Sequence, residues 1–156
     1  MEKVSDCLKE GAKGVQIAFY MLNKTYPMFN DPKVLLSISE HISSSFMSSV
    51  SALLVHERSQ KKIPPYHSIT ESKLNSFKQY LVKKYKLESY LEIIEKLLGI
   101  SQGHKSSVVE FSRDKKYFMF GEQFKNMNAV SKEDVQNYME KAKEFNELIG
   151  KLVLNE

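Results

Sequence analysis

The sequence predicts an all-α protein, an antiparallel bundle of about five helices with a small β-hairpin insertion near residues 107–124. Apolar residues recur three or four positions apart along most of the 156-residue chain, which is the spacing of an amphipathic helix. The connections between these periodic segments are short, and short connections favour antiparallel neighbours. The length suits one domain, residues 1–156, with a single core.

The first helix is expected over residues 2–26 and the second over residues 31–60. Pro27 should end the first helix, because the residue before a proline is driven out of the α region. The buried side of that helix is predicted to hold Val4, Leu8, Val15, Ala18, Phe19 and Leu22. Pro32 suits the first turn of the second helix, where its missing N–H costs nothing. The second helix has an apolar face made of Leu35, Ile38, Ile42, Phe46, Val50 and Leu53.

A track of small residues runs beside that apolar face. Small side chains let another helix approach closely, so the track is typical of a central bundle helix or of the seam of a homodimer. Both interpretations stay open from the sequence. The track consists of Ser37, Ser44, Ser45, Ser48, Ser49, Ser51 and Ala52.

The third helix should begin after Pro64 and Pro65, with Ser68 and Glu71 as a capping box. Its apolar face is predicted to hold Leu74, Phe77, Leu81 and Tyr85. A break or bend is expected at residues 83–86. The fourth helix then covers residues 87–101, with an apolar face of Leu91, Ile94, Leu97 and Leu98.

Two strands are expected at residues 108–112 and 116–120, because these segments are rich in β-branched and aromatic residues. The turn of this hairpin falls at residues 113–115. The last helix follows Ser131, which forms a Ser-x-x-acid cap with Asp134. The seam of this helix is predicted to be Val135, Tyr138, Met139, Ala142, Phe145, Ile149 and Leu152.

Composition excludes several classes of protein. Hydrophobic residues make up 42% and charged residues 27%, as in soluble globular proteins. No apolar run is long enough to span a membrane, and the first residues lack the apolar stretch of a secretory signal. A single cysteine, Cys7, forms no internal disulfide and agrees with a cytoplasmic location. The chain has no glycine-rich phosphate loop and no histidine pair at ligand spacing, so neither a cofactor nor a metal is predicted.

Positive charge concentrates in two regions. Residues 56–86 hold eight Lys or Arg against two Asp or Glu, and residues 103–132 hold six against three. Such an excess can attract phosphate, although solvated lysine faces give the same pattern. The candidate phosphate-binding or nucleic-acid-binding residues are Arg58, Lys61, Lys62, Arg113, Lys115 and Lys116.

The candidates for catalysis are His56, Arg58 and His67. A histidine near neutral pKa could act as a general base while Arg58 holds a phosphate, as in a metal-independent ribonuclease. Alternatively, His56 and Arg58 complement the dipole at the end of the second helix. Glu110 and Arg113 lie close in the sequence, and a local salt bridge between them is the simpler interpretation.

Aromatic residues cluster near the hairpin lysines. They could stack the bases of a single-stranded nucleic acid, but the sequence favours a core beneath the hairpin. The aromatic residues are Tyr117, Phe118, Phe120 and Phe124, and the lysines are Lys115, Lys116 and Lys125.

The chain resembles the HEPN superfamily of small helical proteins. The likeness lies in residues 18–22 and 51–54, in the loop that reaches His67, and in residues 138–145 of the closing helix. The segments 58–67 and 107–113 resemble an uncharacterised, mainly archaeal branch. Ribonuclease members carry Arg and His on one helix with four to six residues between them. Here eight residues, including two prolines, separate Arg58 from His67.

The resemblance therefore implies a helical bundle that can dimerise and contact a nucleotide or RNA, without the cleavage chemistry. We expect a non-catalytic binding or assembly module that uses its basic loops on RNA, a nucleotide or a protein partner, and no membrane. One alternative is a ribonuclease that uses Arg58 with His56 or His67. The other is a structural homodimer or scaffold.

Overall fold

The computed structural model describes residues 2–121 and 127–154. Within that part the chain is mostly helical and carries a small antiparallel sheet, as predicted. The end of the expected hairpin, residues 122–124, and the candidates Phe124 and Lys125 lie outside the described residues. The elements are α1 (Val4–Tyr20), π1 (Met21–Thr25), α2 (Tyr26–Phe29), α3 (Lys33–Ser59), α4 (Thr70–Ser76), π2 (Phe77–Leu81), α5 (Val82–Tyr85), α6 (Glu88–Ser106), β1 (Val109–Arg113), β2 (Lys116–Phe120), β3 (Met127–Ser131) and α7 (Lys132–Leu154).

The first helical stretch continues past Pro27, where the sequence predicted its end. Hydrogen bonding changes from π to α at Tyr26, which places Pro27 in the first turn of α2. The π turn therefore lies directly before the proline, whose ring would otherwise clash with the carbonyl one turn earlier. The stretch ends instead at Asn30, whose φ of 50° is left-handed and whose N–H bonds to the Tyr26 carbonyl.

The long helix α3 is the centre of the molecule and packs against α1, α6 and α7. All six residues of its predicted apolar face have no exposed surface, and five residues of the α7 seam are buried. Phe46 of α3 and Phe145 of α7 are in ring contact, with centroids 5.4 Å apart. Phe19, predicted to be buried, is instead 59% exposed. It lines a shallow cavity between α1 and α7.

The middle of the track of small residues, Ser45 and Ser49, is buried where α1 and α7 pack on α3, whereas Ser44 is exposed. Ser45 donates a hydrogen bond to the Gly11 carbonyl at 2.6 Å and accepts one from the Asn146 amide at 3.0 Å. Ser49 donates to the other end of the same amide. Gly14 lies so close to Ser45 that an added Cβ would come within 2.9 Å of the serine Cβ. The track is thus the meeting place of three helices of one chain.

The third helical stretch starts without the predicted capping box. It begins at Thr70 after an extended Ile69, and no side chain caps that end. Ser72, rather than Ser68, makes a local bond, accepting one from the His67 N–H at 2.9 Å. The predicted break at residues 83–86 is present, because Lys86 adopts a φ of 56° and the Leu87 N–H returns to the Val82 carbonyl.

The sheet has three strands in the order β1-β2-β3, both pairs antiparallel. The sequence predicted β1 and β2 but missed β3. The hairpin turn consists of Asp114 and Lys115, both with positive φ, as a type I′ turn requires. Alternation gives the sheet an inner face on the helices, where Tyr117, Met119 and Val130 are buried. At the start of α7, Ser131 and Asp134 form the predicted cap, each accepting from the other's N–H.

Candidate functional site

The candidate cations divide into two groups at opposite ends of α3, a helix about 40 Å long. Arg58, Lys61 and Lys62 lie at its C-terminal end. The sheet lies at the other end, where His104 of α6 lines a cavity together with Asp31 and Lys33. Arg113, Lys115 and Lys116 therefore cannot act with Arg58 on one small ligand.

Arg58 lies at a cavity of about 530 Å³. Its guanidinium carbon is 5.4 Å from the centroid of the Tyr66 ring, a cation–π distance. The chain reverses after α3 because Lys61 takes a φ of 59° and the Lys62 N–H bonds to the Glu57 carbonyl at 3.0 Å. The cavity is lined by Glu2, Val55, Arg58, Ser59, Tyr66 and Ser68.

Two observations show how charge is distributed around this cavity. Burial, and then the Glu2 carboxylate, raise the pKa of Tyr66, while Arg58 opposes them. Glu2 is paired with the buried Lys73, whose ammonium lies 2.8 Å from the carboxylate and 3.0 Å from the Ser51 hydroxyl. The guanidinium N–H groups of Arg58 have no hydrogen-bond partner among the described residues. Arg58 is thus available to an anion, whereas Glu2 already has a cation.

The two candidate histidines do not line the Arg58 cavity. His67 lines a neighbouring cavity of about 500 Å³, together with Ser72 and Gln79, and that cavity does not include Arg58. The Nε2 of His56 lies 3.3 Å from the Gln60 amide. Among the described residues, only Tyr66 lines both cavities. Within the described part of the chain, therefore, the structure brings Arg58 together with Tyr66 rather than with a histidine.

Three of the lysines in residues 56–86 are paired with carboxylates of the chain. Lys73 bonds to Glu2, Lys78 lies 3.7 Å from Glu95, and Lys84 lies 3.2 Å from Glu57. Glu57 has no exposed surface and also accepts a hydrogen bond from Tyr85. These lysines pair with carboxylates of the fold, whereas the candidate Arg58 lines a cavity beside an aromatic ring.

At the other end, the basic residues share a sheet face with the exposed ring of Phe111 and the half-buried rings of Phe118 and Phe120. Arg113 is 3.8 Å from Asp114, but both are more than three-quarters exposed, so the pair is weak. The rings of Phe111 and Phe118 are stacked with centroids 5.4 Å apart, and those of Phe111 and Phe120 with centroids 5.6 Å apart. The prediction of an aromatic core beneath the hairpin is therefore right for Tyr117 and wrong for Phe118 and Phe120. Alternation places these two on the outer face, because their neighbours Tyr117 and Met119 point inward.

Glu110 is a polar centre that the sequence did not reveal. Its carboxylate accepts hydrogen bonds from Tyr117 at 2.7 Å and from Ser107 at 2.5 Å, and lies 2.7 Å from Nδ1 of His104. Burial raises the pKa of Glu110, but these three hydrogen bonds and the His104 charge outweigh it, and the net pKa is lowered. Burial and the same carboxylate raise the pKa of Tyr117 to about 12. The expected Glu110–Arg113 bridge is not formed, because the two side chains lie on opposite faces of β1.

Within residues 2–121 and 127–154, no cluster of His, Cys, Asp and Glu could hold a metal. In the same part of the chain, none of the helices combines the length and apolarity needed to cross a membrane.

Comparison with known proteins gives no match for this chain, whether to a protein family, to a curated protein or to a solved structure.

Proposed function

We propose that this protein is a non-catalytic, HEPN-like binding module that holds a phosphate of a nucleotide or of RNA at the Arg58 cavity. One observation carries the proposal: the Arg58 guanidinium lies over the Tyr66 ring beside a cavity of about 530 Å³. Its N–H groups have no partner among the residues that the structure describes, so they remain available for an anion.

This geometry suits phosphate recognition for physical reasons. Guanidinium presents its donors in a planar fork that matches two oxygens of a phosphate. Contact with the Tyr66 ring restrains the Arg58 side chain, which reduces the entropy lost when the ligand binds. Ser68 adds a hydroxyl to the lining, and Val55 adds an apolar surface. The cavity volume is in the range of small-molecule sites.

Binding is favoured over cleavage because of where the histidines lie. A general base has to reach the proton that it removes, directly or through one water. His67 lines a different cavity from Arg58, and His56 lies against Gln60. Binding is also favoured over a structural homodimer, because α1 and α7 of the same chain cover Ser45 and Ser49 of the serine track.

The test is fluorescence anisotropy with two labelled RNA trimers that differ only in a 5′-phosphate, and with a labelled nucleoside diphosphate. Arg58→Gln should weaken binding of the phosphorylated probes about tenfold or more, since a hydrogen bond to a charged group contributes about 1.5–3 kcal/mol. Arg58→Lys should lose part of the affinity, because an ammonium lacks the planar fork. Affinity for the phosphorylated probes should fall as salt rises.

Lys83→Gln is the matched control, because it removes an exposed cation from the same basic region. It should leave phosphate binding within about twofold of wild type, as exposed charges contribute little. Equal loss in Arg58→Gln and Lys83→Gln would contradict a specific phosphate site. RNA cleavage by the wild type that disappears in His67→Gln would contradict a non-catalytic role.

A further inference from the structure

We propose that the outer face of the sheet binds single-stranded nucleic acid by stacking bases on a row of phenylalanine rings. This phenylalanine row consists of Phe118, Phe111 and Phe120, in that spatial order. The inference goes beyond the proposed function, because it concerns the opposite end of α3 and a ligand's bases rather than its terminal phosphate.

Strand register defines this face. Phe111 is paired with Phe118, Val109 with Phe120, and Phe118 with Ala129. Paired residues of an antiparallel sheet point to the same side, so all of these lie opposite the buried Tyr117 and Met119. The exposed fraction is 38% for Val109, 39% for Phe111 and 57% for Met127. Exposed apolar groups of β1 and β3 thus flank the half-buried Phe118 and Phe120 of β2 on this face.

The three rings are nearly parallel. The planes of Phe111 and Phe118 differ by 19°, and those of Phe111 and Phe120 by 12°. A flat base can extend such a stack at its Phe118 end, or lie across the exposed edge of Phe111. Stacking accepts any base, because every base has a π-face.

Cations lie at one end of the phenylalanine row. Lys116 is two residues before Phe118 on β2, and Arg113 is two residues after Phe111 on β1, on the same face. Two residues of a strand span about 7 Å, so a stacked base can keep its phosphate beside these cations. Lys115 at the turn adds a third positive charge against the single carboxylate of Asp114. The face therefore complements a chain with both bases and phosphates.

This charge pattern favours nucleic acid over a protein partner. Interfaces between proteins are depleted in lysine at their cores, whereas sites for single strands combine aromatic rings with a basic track. Charged side chains at the end of β1 and β2 also oppose pairing with a second copy of the sheet.

The experiment measures anisotropy of labelled oligo-uridine RNA, the DNA of matching sequence, and a duplex of the same length, with inorganic polyphosphate as a competitor without bases. Phe111→Leu with Phe118→Leu should weaken single-strand binding about tenfold, from the loss of base stacking. Phe111→Tyr with Phe118→Tyr should keep it, because the rings remain. The inhibition constant of polyphosphate, which takes the RNA affinity of each variant into account, should be equal in both variants. Arg113→Gln with Lys116→Gln should weaken binding of every probe and lower the salt dependence.

Ultraviolet crosslinking of oligo-uridine to the wild type gives a second readout that needs no variant. Crosslinks should map to the peptide that contains β1 and β2. The oligo-uridine carries no terminal phosphate, so saturating nucleoside diphosphate should not displace it, and the leucine pair should leave binding of the nucleoside diphosphate unchanged. Failure of one proposal is thereby separated from failure of the other.

Several results would overturn the inference. Equal binding of single strand and duplex would mean that phosphates alone are recognised. Full affinity in the leucine pair, or crosslinks confined to other peptides, would remove the role of the phenylalanine row. A dimer in light scattering that the leucine pair dissociates, without single-strand binding by the wild type, would assign the face to protein association.

Discussion

Glu110 receives hydrogen bonds from residues of three segments. His104 belongs to α6, Ser107 to the following connection and Tyr117 to β2. The carboxylate therefore fastens the sheet to the helical part of the chain. A half-buried acceptor with several donors is costly to disrupt, since each donor would lose a short hydrogen bond to a charged group.

This cluster predicts how stability depends on acidity. The folded-state pKa of Glu110 lies below its ordinary value of 4.5. Its contribution to the free energy of unfolding is thus complete above pH 4.5 and is lost as pH falls through the folded-state pKa. We expect Glu110→Gln to destabilise the protein by about 1–3 kcal/mol at neutral pH, and the gap to wild type to shrink below pH 4.5. Urea unfolding at a series of pH values measures this.

At high pH the stability is expected to fall, rather than rise, with increasing pH. The reason is that the pKa of Tyr117 is raised from 10.0 to about 12. The stability associated with its protonated hydroxyl is complete below pH 10 and is lost as pH rises toward 12. In Tyr117→Phe that loss should be absent. A constant gap between wild type and Glu110→Gln from pH 3 to 7 would contradict the role of this cluster.

The contact between α1 and α3 shows how an element is positioned by its smallest residues. Gly11 faces Ser49 and Gly14 faces Ser45 and His41, so the two helices run antiparallel. An added Cβ at Gly14 would lie 2.9 Å from the Ser45 Cβ and 3.1 Å from the His41 carbonyl oxygen. The serine track is thus needed for a close helix crossing and for the hydrogen bonds made there.

We expect Gly14→Ala to destabilise the protein by about 1–3 kcal/mol, because the helices have to separate. Gly99→Ala is the matched control, since Gly99 lies within α6 and an added Cβ would meet nothing within 4 Å. That control should stabilise by up to about 1 kcal/mol through helix propensity. Thermal unfolding followed by circular dichroism compares the two. Equal effects in the same direction would show that the crossing is not tight.

Across the whole molecule, one cluster of aromatic rings connects the helical stretches. Phe145 of α7 contacts Phe46 of α3 at 5.4 Å, Phe77 of π2 at 6.2 Å and Tyr90 of α6 at 5.0 Å. The buried apolar residues form a single cluster that also includes Tyr117, Met119 and Val130 of the sheet. Helices and sheet therefore share one core.

Removing the ring of Phe145 should lower the free energy of unfolding of helices and sheet together. Phe145→Ala is expected to cost about 3–5 kcal/mol, whereas Phe29→Ala, at a site that is 65% exposed, should cost less than about 0.5 kcal/mol. Far-ultraviolet circular dichroism follows the helices, and near-ultraviolet circular dichroism follows the tyrosines. Both transitions should shift together in urea. Two separate transitions in the variant would contradict a shared core.

The sequence by itself determined the helical class, the apolar face of α3, two strands and the cap at Ser131, because these depend on spacing along a short segment. Only the tertiary structure decided that Ser45 and Ser49 of the serine track are buried between helices of one chain, that Arg58 meets Tyr66, and that Phe118 lies on the outer face of the sheet. It also decided the partners of Glu110 and the pairing of the lysines with carboxylates. These features depend on strand register and on contacts between distant segments, and the free energy that fixes them comes from burial of the whole core rather than from local preference.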